Sequence, residues 1–326
     1  MSSVSVCIPT YNAAEYLRAA IESALAQTRP PDEIIVVDDG SPDHTREVCE
    51  SFGARVRYIL QQNDGTLGAG ARAHAMREAR GDWIALLDHD DLWLPDKLEK
   101  QLRAARQHPD AFAVFTRFRA VDAEGNLLPE RERLSGEVVR LEAREAFHVL
   151  LQENHYAPSS ALVRRSFVAE HGVTDPREVG CADWDLWLSI ARRGHPVLVI
   201  EENLTLYRVF PEQFCSDKRR LAAALERTLE AQRPHLHADC EGCRENFRAG
   251  REHVRMVYGV AARTLLDQYH TSALAGELPR ALPFLWSAVR AAPGEVLRPR
   301  RLAAVSKNAL LATLKVNRES EKSRES

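Results

Sequence analysis

Arg80-Gly81-Asp82-Trp83-Ile84-Ala85-Leu86-Leu87-Asp88-His89-Asp90-Asp91 passes from a turn through five apolar residues into a cluster of aspartates. A short, unbroken apolar run entered through Gly81-Asp82 reads as a buried strand. Carboxylates at the end of such a strand do not bury their charge cheaply, so they face a cleft, a cation or both. Asp88 and Asp90, one residue apart, can share a hard cation that also touches a diphosphate. The same spacing occurs in solvated turns, so its meaning depends on what the rest of the chain places beside it.

Before this run the chain alternates strand and helix patterns. Val4–Ile8 reads as a strand stopped by Pro9, and Asn12 as the cap of a helix reaching Ala26, with Tyr16, Leu17, Ala20, Ile21, Ala24 and Leu25 at helical spacing. Glu33–Val37 forms a second strand ending in Asp38-Asp39-Gly40-Ser41. A helix over Asp43–Phe52, a strand over Val56–Leu60 and a helix over Ala69–Ala79 follow. This order predicts an α/β fold with a mostly parallel sheet flanked by helices. A helix over Asp96–Gln107 and a strand over Ala111–Phe118 come next. Phe147–Leu151 reads as helical and Ser159–Val163 as extended, before a helix over Asp183–Arg193 closed by Gly194. Two strands, Val197–Ile200 and Leu204–Val209, complete a first domain over residues 1–215. Within it, residues 1–110 form one half and 111–215 another. Residues 216–326 read as a helical C-terminal region whose polar end, from Asn317, is expected to be disordered.

With 326 residues, 44% hydrophobic and 28% charged, the chain has the make-up of a globular protein with a sizeable core. A net charge of -3 gives no global attraction to nucleic acid, and nucleic acid is not an expected partner. Val4–Ile8 is too short for a signal peptide, and no apolar stretch approaches the roughly 18 residues that span a bilayer. Six scattered cysteines, several in core positions, suit a reducing cytoplasmic setting.

In an open parallel sheet, ligands bind beyond the carboxyl ends of the strands. Three such ends carry unusual residues: Pro9-Thr10-Tyr11-Asn12, Asp38-Asp39-Gly40-Ser41 and Asp88-His89-Asp90-Asp91. Tyr11 offers a face on which a base can stack, and Asp39 an acceptor for a base or ribose. Asp88 and Asp90 supply the cation for the phosphates. A dinucleotide oxidoreductase is disfavoured, because Pro9-Thr10-Tyr11-Asn12 stands where such enzymes place a Gly-x-Gly-x-x-Gly turn.

These motifs, with Val36-Val37-Asp38-Asp39-Gly40-Ser41 and Asp183-Trp184-Asp185-Leu186-Trp187-Leu188, resemble the family 2 glycosyltransferases of the GT-A fold from Val4 to about Arg208. The resemblance implies an enzyme that moves a sugar from a nucleotide donor to an acceptor hydroxyl with a divalent metal (Mn2+ or Mg2+), with inversion at the anomeric carbon. It implies that Pro9, Thr10, Tyr11 and Asp39 hold the donor, that Asp88 serves the ribose or metal shell, and that Asp90 binds the metal. Arg72 matches an arginine that the family places near the donor diphosphate. By the same resemblance residues 1–110 would be the nucleotide-sugar-binding half and 111–215 the acceptor half, and a glycan or lipid-linked acceptor at the inner face of a membrane would suit it. A non-catalytic nucleotide-sugar-binding or scaffold protein of the same fold is the alternative.

Helix geometry adds to the resemblance at Asp183. It shares a face with Leu186, Trp187 and Ile190, an apolar set that looks inward, whereas Asp185 shares one with Ser189 and Arg192 and is expected to face water or pair with Arg192. Asp183 is therefore the expected catalytic base, with an N-cap role as the plain alternative. The chain departs from the family pattern at three points: Ala73 in place of Asn, Ala182 in place of Glu, and Phe210 in place of a His sometimes linked to the metal. His89 or water could then complete the metal shell.

Two features lie outside that resemblance. His235, His237, Cys240 and Cys243 could hold zinc, although a helix-linking turn with a free thiol pair is the more ordinary reading. Near the C-terminus, Arg298, Arg300, Arg301, Lys307 and Lys315 interleave with Leu302, Val305, Leu310, Leu311 and Leu314. Such a helix suits docking on the catalytic domain, a homodimer contact or a membrane surface.

Overall fold

The computed structural model describes residues 2–63, 65, 66, 68–129, 134–175, 177, 180–210, 217–275, 278–292, 296–298, 301 and 303–305. The boundary expected near residue 215 and the polar end from Asn317 fall outside these residues. So do Arg300, Leu302, Lys307, Leu310, Leu311, Leu314 and Lys315 of the basic C-terminal segment. The chain forms two compact units, residues 1–211 with 227–250, and residues 212–226 with 251–326.

In the first unit, β1 (Val4–Thr10), β2 (Glu33–Asp38), β3 (Arg57–Leu60) and β4 (Trp83–Leu86) pair in parallel in the order β3-β2-β1-β4. Helices α1 (Ala14–Leu25), α2 (Thr45–Glu50) and α3 (Ala69–Glu78) make the crossovers. The parallel sheet expected from the sequence holds in this half, and beyond β4 the pairing becomes mixed. There β8 (Leu162–Arg164) runs antiparallel to both β4 and β6 (Ala113–Val121), and β6 runs parallel to β9 (Val197–Arg208). The two strands expected at 197–200 and 204–209 are one strand, and its register shifts opposite Arg117. That irregularity explains why the apolar pattern looked broken. Two short strands not expected from the sequence, β5 (Leu92–Trp93) and β7 (Val138–Leu141), also pair with β9.

Burial follows the strand pattern. Val6, Ile8, Ile34, Val36, Ala85 and Leu87 pack with Leu17 and Ile21 of α1, and with Leu98 and Leu102 of α4 (Lys97–Gln107). Gly81 is required where the chain enters β4, because a Cβ there would lie 2.7 Å from the Ser5 amide nitrogen. Asn12 is not the cap of α1. It takes a left-handed φ of 49°, and the Asp43 carboxylate from the next loop accepts the Ala14 amide at 3.0 Å instead. The same carboxylate accepts the amide and hydroxyl of Thr45, so one side chain closes the starts of two helices.

Three helices complete the described part of this unit before residue 211: α5 (Ala143–Gln152), α6 (Arg165–His171) and α7 (Ala182–Arg192). Helices α8 (Lys218–Ala231) and α9 (Glu241–Leu274) contribute residues to both units. In the second unit, Ala262 and Leu266 of α9 pack with Ala288 of α10 (Leu278–Ala291) and with Val296. Among the described residues, no helix is long and apolar enough to cross a membrane.

Lys97 is fully buried in the first unit. Its Nζ donates to Gln101 Oε1 at 2.9 Å and lies 4.2 Å from the Trp93 ring centroid. Burial pushes its ammonium well below the usual lysine range. The unfolded chain then binds more protons than the folded one from the ordinary lysine value downward, and stability falls as pH falls through that window. Lys97→Met removes this linkage. In urea titrations from pH 10 to pH 8, the variant should gain on wild type by up to about 1.4 kcal/mol per pH unit, and a constant gap would contradict a buried, deprotonating Lys97.

Candidate active site

The carboxyl ends of β1, β2 and β4 bring the three motifs together. Thr10, the last residue of β1, is buried; its carbonyl accepts the Asp39 amide at 2.9 Å, while its Oγ1 has no hydrogen-bond partner. Tyr11 follows with 45% of its surface exposed. Pro9 gives its carbonyl to His89 Nδ1 at 3.1 Å, tying the end of β1 to the loop after β4. A carbonyl only accepts, so Nδ1 carries the proton, and a neutral His89 keeps the lone pair on Nε2.

The two aspartates that end β2 do different work. Asp38 is buried and accepts the Ser41 amide and hydroxyl at 2.9 and 2.6 Å and the Tyr58 hydroxyl at 2.7 Å. Those bonds hold the turn, and they help burial raise the Tyr58 hydroxyl to about 12. Asp39 is also buried, and its Oδ1 accepts Gln61 Nε2 at 2.7 Å. Gln61 Oε1 in turn meets His74 Nδ1 at 2.8 Å, so Asp39 is connected to α3.

The cluster after β4 also divides. Asp91 is buried, with Oδ2 accepting the Ser159 hydroxyl at 2.5 Å and Oδ1 the Arg208 amide at 2.9 Å. Burial first, then the charges of Asp90 and Asp88, push its carboxyl well above the usual range, against the pull of those two bonds. Ser159 Oγ accepts the Asp88 amide at 2.9 Å as well, so one hydroxyl fixes both ends of the turn. Asp88 and Asp90 stay partly accessible. Arg208 Nε donates to the Asp90 carbonyl at 2.8 Å, and its guanidinium lies over the Tyr16 ring at 4.9 Å. Phe210 stacks on the other partner of that arginine, with its ring 5.9 Å from Tyr16 at 10°.

Arg72, on α3, joins this cluster to α7. Its Nη2 donates to Asp88 Oδ1 at 2.6 Å, and both side chains are largely shielded from water. Burial opposes its charge, yet Asp88, Asp183 and Asp90 together hold the guanidinium above its ordinary value. Its buried Nε has no hydrogen-bond partner. Arg72 and Asp183 line one small space of about 10 Å³ with Ala73, Met76, Leu86, Ala182 and Leu186, room for about one water. The small residues at 73 and 182 thus sit in the wall between the guanidinium and the helix start.

Asp183 lines that space and is half-buried, and it is not the cap of α7. That position belongs to Cys181, and no side chain caps the helix. Asn154 Nδ2 donates to Asp183 Oδ2 at 2.9 Å from the segment after α5. Of the two outcomes expected for Asp185, it does not face water, and it pairs with Arg192 at 3.9 Å. It is buried, its Oδ2 accepts the Thr174 hydroxyl at 2.5 Å and its Oδ1 accepts Gln232 Nε2 at 2.8 Å. The helix runs deep enough in the unit to bury both faces, which periodicity within one helix does not reveal. A larger cleft of about 290 Å³ lies among Arg117, Phe118, Ala120, Leu128, Pro129, His155 and Asn203, and includes none of the residues above.

Four residues that hold the site carry no local sequence signal: Gln61, Asn154, Ser159 and Arg208. Each acts through a partner distant in the chain.

A family model described as Glycosyl transferase family 2 matches residues 5–172. An uncharacterized glycosyltransferase of Rickettsia typhi is 31% identical over 194 residues, 58% of this chain and 58% of its own length. A putative teichuronic acid biosynthesis glycosyltransferase, TuaG of Bacillus subtilis, is 29% identical over 223 residues, 67% of this chain and 84% of the relative. The chain spans between 34% and 58% of the length of four Rickettsia relatives. The fold matches a mannosyltransferase from Pyrobaculum calidifontis, solved with GDP-Man and Mn2+, with a TM-score of 0.56 at 19% identity over 96% of this chain and 86% of that one.

The Arg72–Asp88 pair yields a stability test. Removing the cation leaves Asp88 uncompensated in a shielded place beside Asp90 and Asp183. Arg72→Met should lower stability by about 2–3 kcal/mol, and adding Asp88→Asn should return more than half of that loss in thermal denaturation. Additive losses would contradict a coupled pair.

Proposed function

The chain belongs to glycosyl transferase family 2, and on that premise we propose that it transfers a sugar from a nucleoside-diphosphate donor to an acceptor hydroxyl, with inversion, in the assembly of a glycan or cell-envelope polysaccharide. The observation that carries this reading is the position of Arg72, bonded to Asp88 while held in the field of Asp183 and Asp90. One cation thereby links the acidic cluster after β4 to the half-buried Asp183 carboxylate at the start of α7. That is the juxtaposition a displacement needs, with the leaving group on one side and the proton acceptor on the other.

The roles follow from the groups. Tyr11, exposed at the end of β1, offers its ring to the base, and Asp39, fixed by Gln61, offers a carboxylate oxygen to a base or ribose donor. Pro9 and Thr10, both buried, shape the floor. Asp88 and Asp90 fit a hard divalent cation: both are half-buried carboxylates one residue apart after β4, and no soft ligand is among them. Manganese or magnesium bound there, with His89 Nε2 or water completing its shell in place of a histidine at Phe210, would offset charge on the leaving diphosphate. Arg72 adds a fixed positive charge and a spare Nε–H beside it.

Asp183 takes the acceptor proton. Asn154 occupies Oδ2 and fixes the carboxylate plane, so Oδ1 is the oxygen that receives it. The TuaG relative supports an envelope polysaccharide as the product, and the Pyrobaculum structure supports a metal-linked nucleotide sugar as donor. The buried free thiols Cys7 and Cys49 support work on the cytoplasmic side, where thiols stay reduced.

Asp183→Asn preserves shape and removes the proton acceptor. It should lower kcat about 10²–10⁴-fold with donor affinity unchanged, and NMR of the wild-type product should show inverted anomeric configuration. A retained configuration, or an Asp183→Asn enzyme with wild-type kcat, would contradict the single displacement.

A further inference from the structure

Away from the strand ends, a second cluster of ligand-type side chains forms where α5 meets the start of α9. His148 Nε2 lies 3.4 Å from both Cys240 Sγ and Cys243 Sγ, and the three ligand atoms all fall within 4.8 Å of one another. His237 Nδ1 lies 3.7 Å from Cys243 Sγ. The sequence suggested His235 and His237 with the two cysteines. The fold instead supplies His148, 92 residues before Cys240 in the chain, and His235 makes no contact with the group. We propose that His148, His237, Cys240 and Cys243 bind one zinc ion, as a structural site separate from the donor site.

Distances, donor types and the surrounding packing support this. Tetrahedral zinc with Zn–S near 2.3 Å and Zn–N near 2.0–2.1 Å sets sulfur and nitrogen about 3.5–3.6 Å apart. The two S···N separations of 3.4 Å within the set of three lie close to that edge length, and His237, 3.7 Å from one sulfur and outside that set, is the neighbouring donor that would turn in as the fourth ligand. Two thiolates and two imidazoles are soft and borderline ligands of the kind zinc takes, and they balance its charge to zero. The sulfurs already receive donors: Arg144 Nη2 at 3.1 Å and the Cys243 amide at 3.2 Å both point to Cys240 Sγ, and such bonds favour the thiolate that binds metal.

The backbone is shaped around the imidazole. A Cβ at Gly242 would lie 2.6 Å from His148 Cε1 and 2.9 Å from its Nδ1, so only glycine lets the ring approach between the two cysteines. Two turns further along α9, a Cβ at Gly250 would fall on the Leu151 carbonyl oxygen, so the helices stay in close contact along this line. Between them, Gln152 Nε2 donates to Asn246 Oδ1 at 2.5 Å. The ion would thus lock the start of α9 to α5. The segment leaving α5 carries Asn154, the residue that holds Asp183, and the Leu150 carbonyl of α5 accepts Trp184 Nε1 of α7 at 2.8 Å. Zinc here would make the catalytic carboxylate depend on a clamp that touches neither donor nor acceptor.

The test uses the full chain, purified without chelator. Elemental analysis should find about one zinc per chain, and cobalt exchanged into the site should show thiolate charge-transfer and tetrahedral ligand-field absorption. Cys243→Ser and His148→Ala should lose at least nine-tenths of the zinc, His237→Ala should release it faster to a chelator, and His235→Ala and Asp90→Ala should keep it. Because ligand variants can fail to fold, the wild type is also titrated with a thiol reagent. Chelation should release one equivalent of zinc and expose two further thiols. Folded wild type that carries less than a tenth of an equivalent of zinc and gives no cobalt–thiolate bands would overturn the proposal, as would a Cys240–Cys243 disulfide in protein prepared under reducing conditions.

Discussion

The site is organised by one charge. Arg72 reaches from α3 to Asp88 at 2.6 Å, and its guanidinium feels Asp183 and Asp90 from the same shielded position. Without a cation there, carboxylates from β4 and α7 would converge in a poorly hydrated space and repel one another. With it, a strand end and a helix start that are about 95 residues apart in sequence stay side by side. The small side chains of Ala73 and Ala182 line the space between them and keep it narrow. The pair is therefore both a support for the fold and the physical link between the donor and acceptor sides of the proposed reaction.

Around that link the chain spends many of its carboxylates on structure. Asp43 closes two helix starts, Asp38 holds the turn after β2, Asp91 ties the β4 loop to Ser159 and to the backbone of Arg208, and Asp185 anchors α7 to Thr174 and Gln232. Each lies within two residues of Asp39, Asp88, Asp90 or Asp183, or in the loop that follows one of them. Beside them, Asp88, Asp90 and Asp183 stay half-buried, whereas Asp39 is as buried as Asp38. At the pairs Asp90–Asp91 and Asp183–Asp185, burial separates a structural carboxylate from a more accessible one.

This division explains what could be read from the sequence. The parallel half of the sheet and the three strand ends were legible, because short apolar runs followed by Thr10-Tyr11, Asp38-Asp39 and Asp88-His89-Asp90 are local patterns. Helical spacing set Asp183 on the face of Leu186, and the two line one space. For Asp185 the Arg192 partner was legible, but its burial against Thr174 and Gln232 was not, because periodicity within α7 does not register those contacts. Asn12 looked like a cap by residue type, yet a carboxylate from another loop took the role. The same limit applies at the cysteine pair, where Cys-x-x-Cys is a local motif but its histidine comes from α5. Gln61, Asn154, Ser159 and Arg208 likewise acquire their roles only through tertiary contacts.

The most direct test is calorimetric titration of UDP, GDP, dTDP and CDP into the full chain, with and without manganese, for wild type and Asp90→Ala. If the strand ends hold a nucleoside diphosphate through a metal shared with Asp90, one base series should bind wild type only with manganese and should not bind the variant. Equal binding with and without metal, undiminished in Asp90→Ala, would contradict that account of the site.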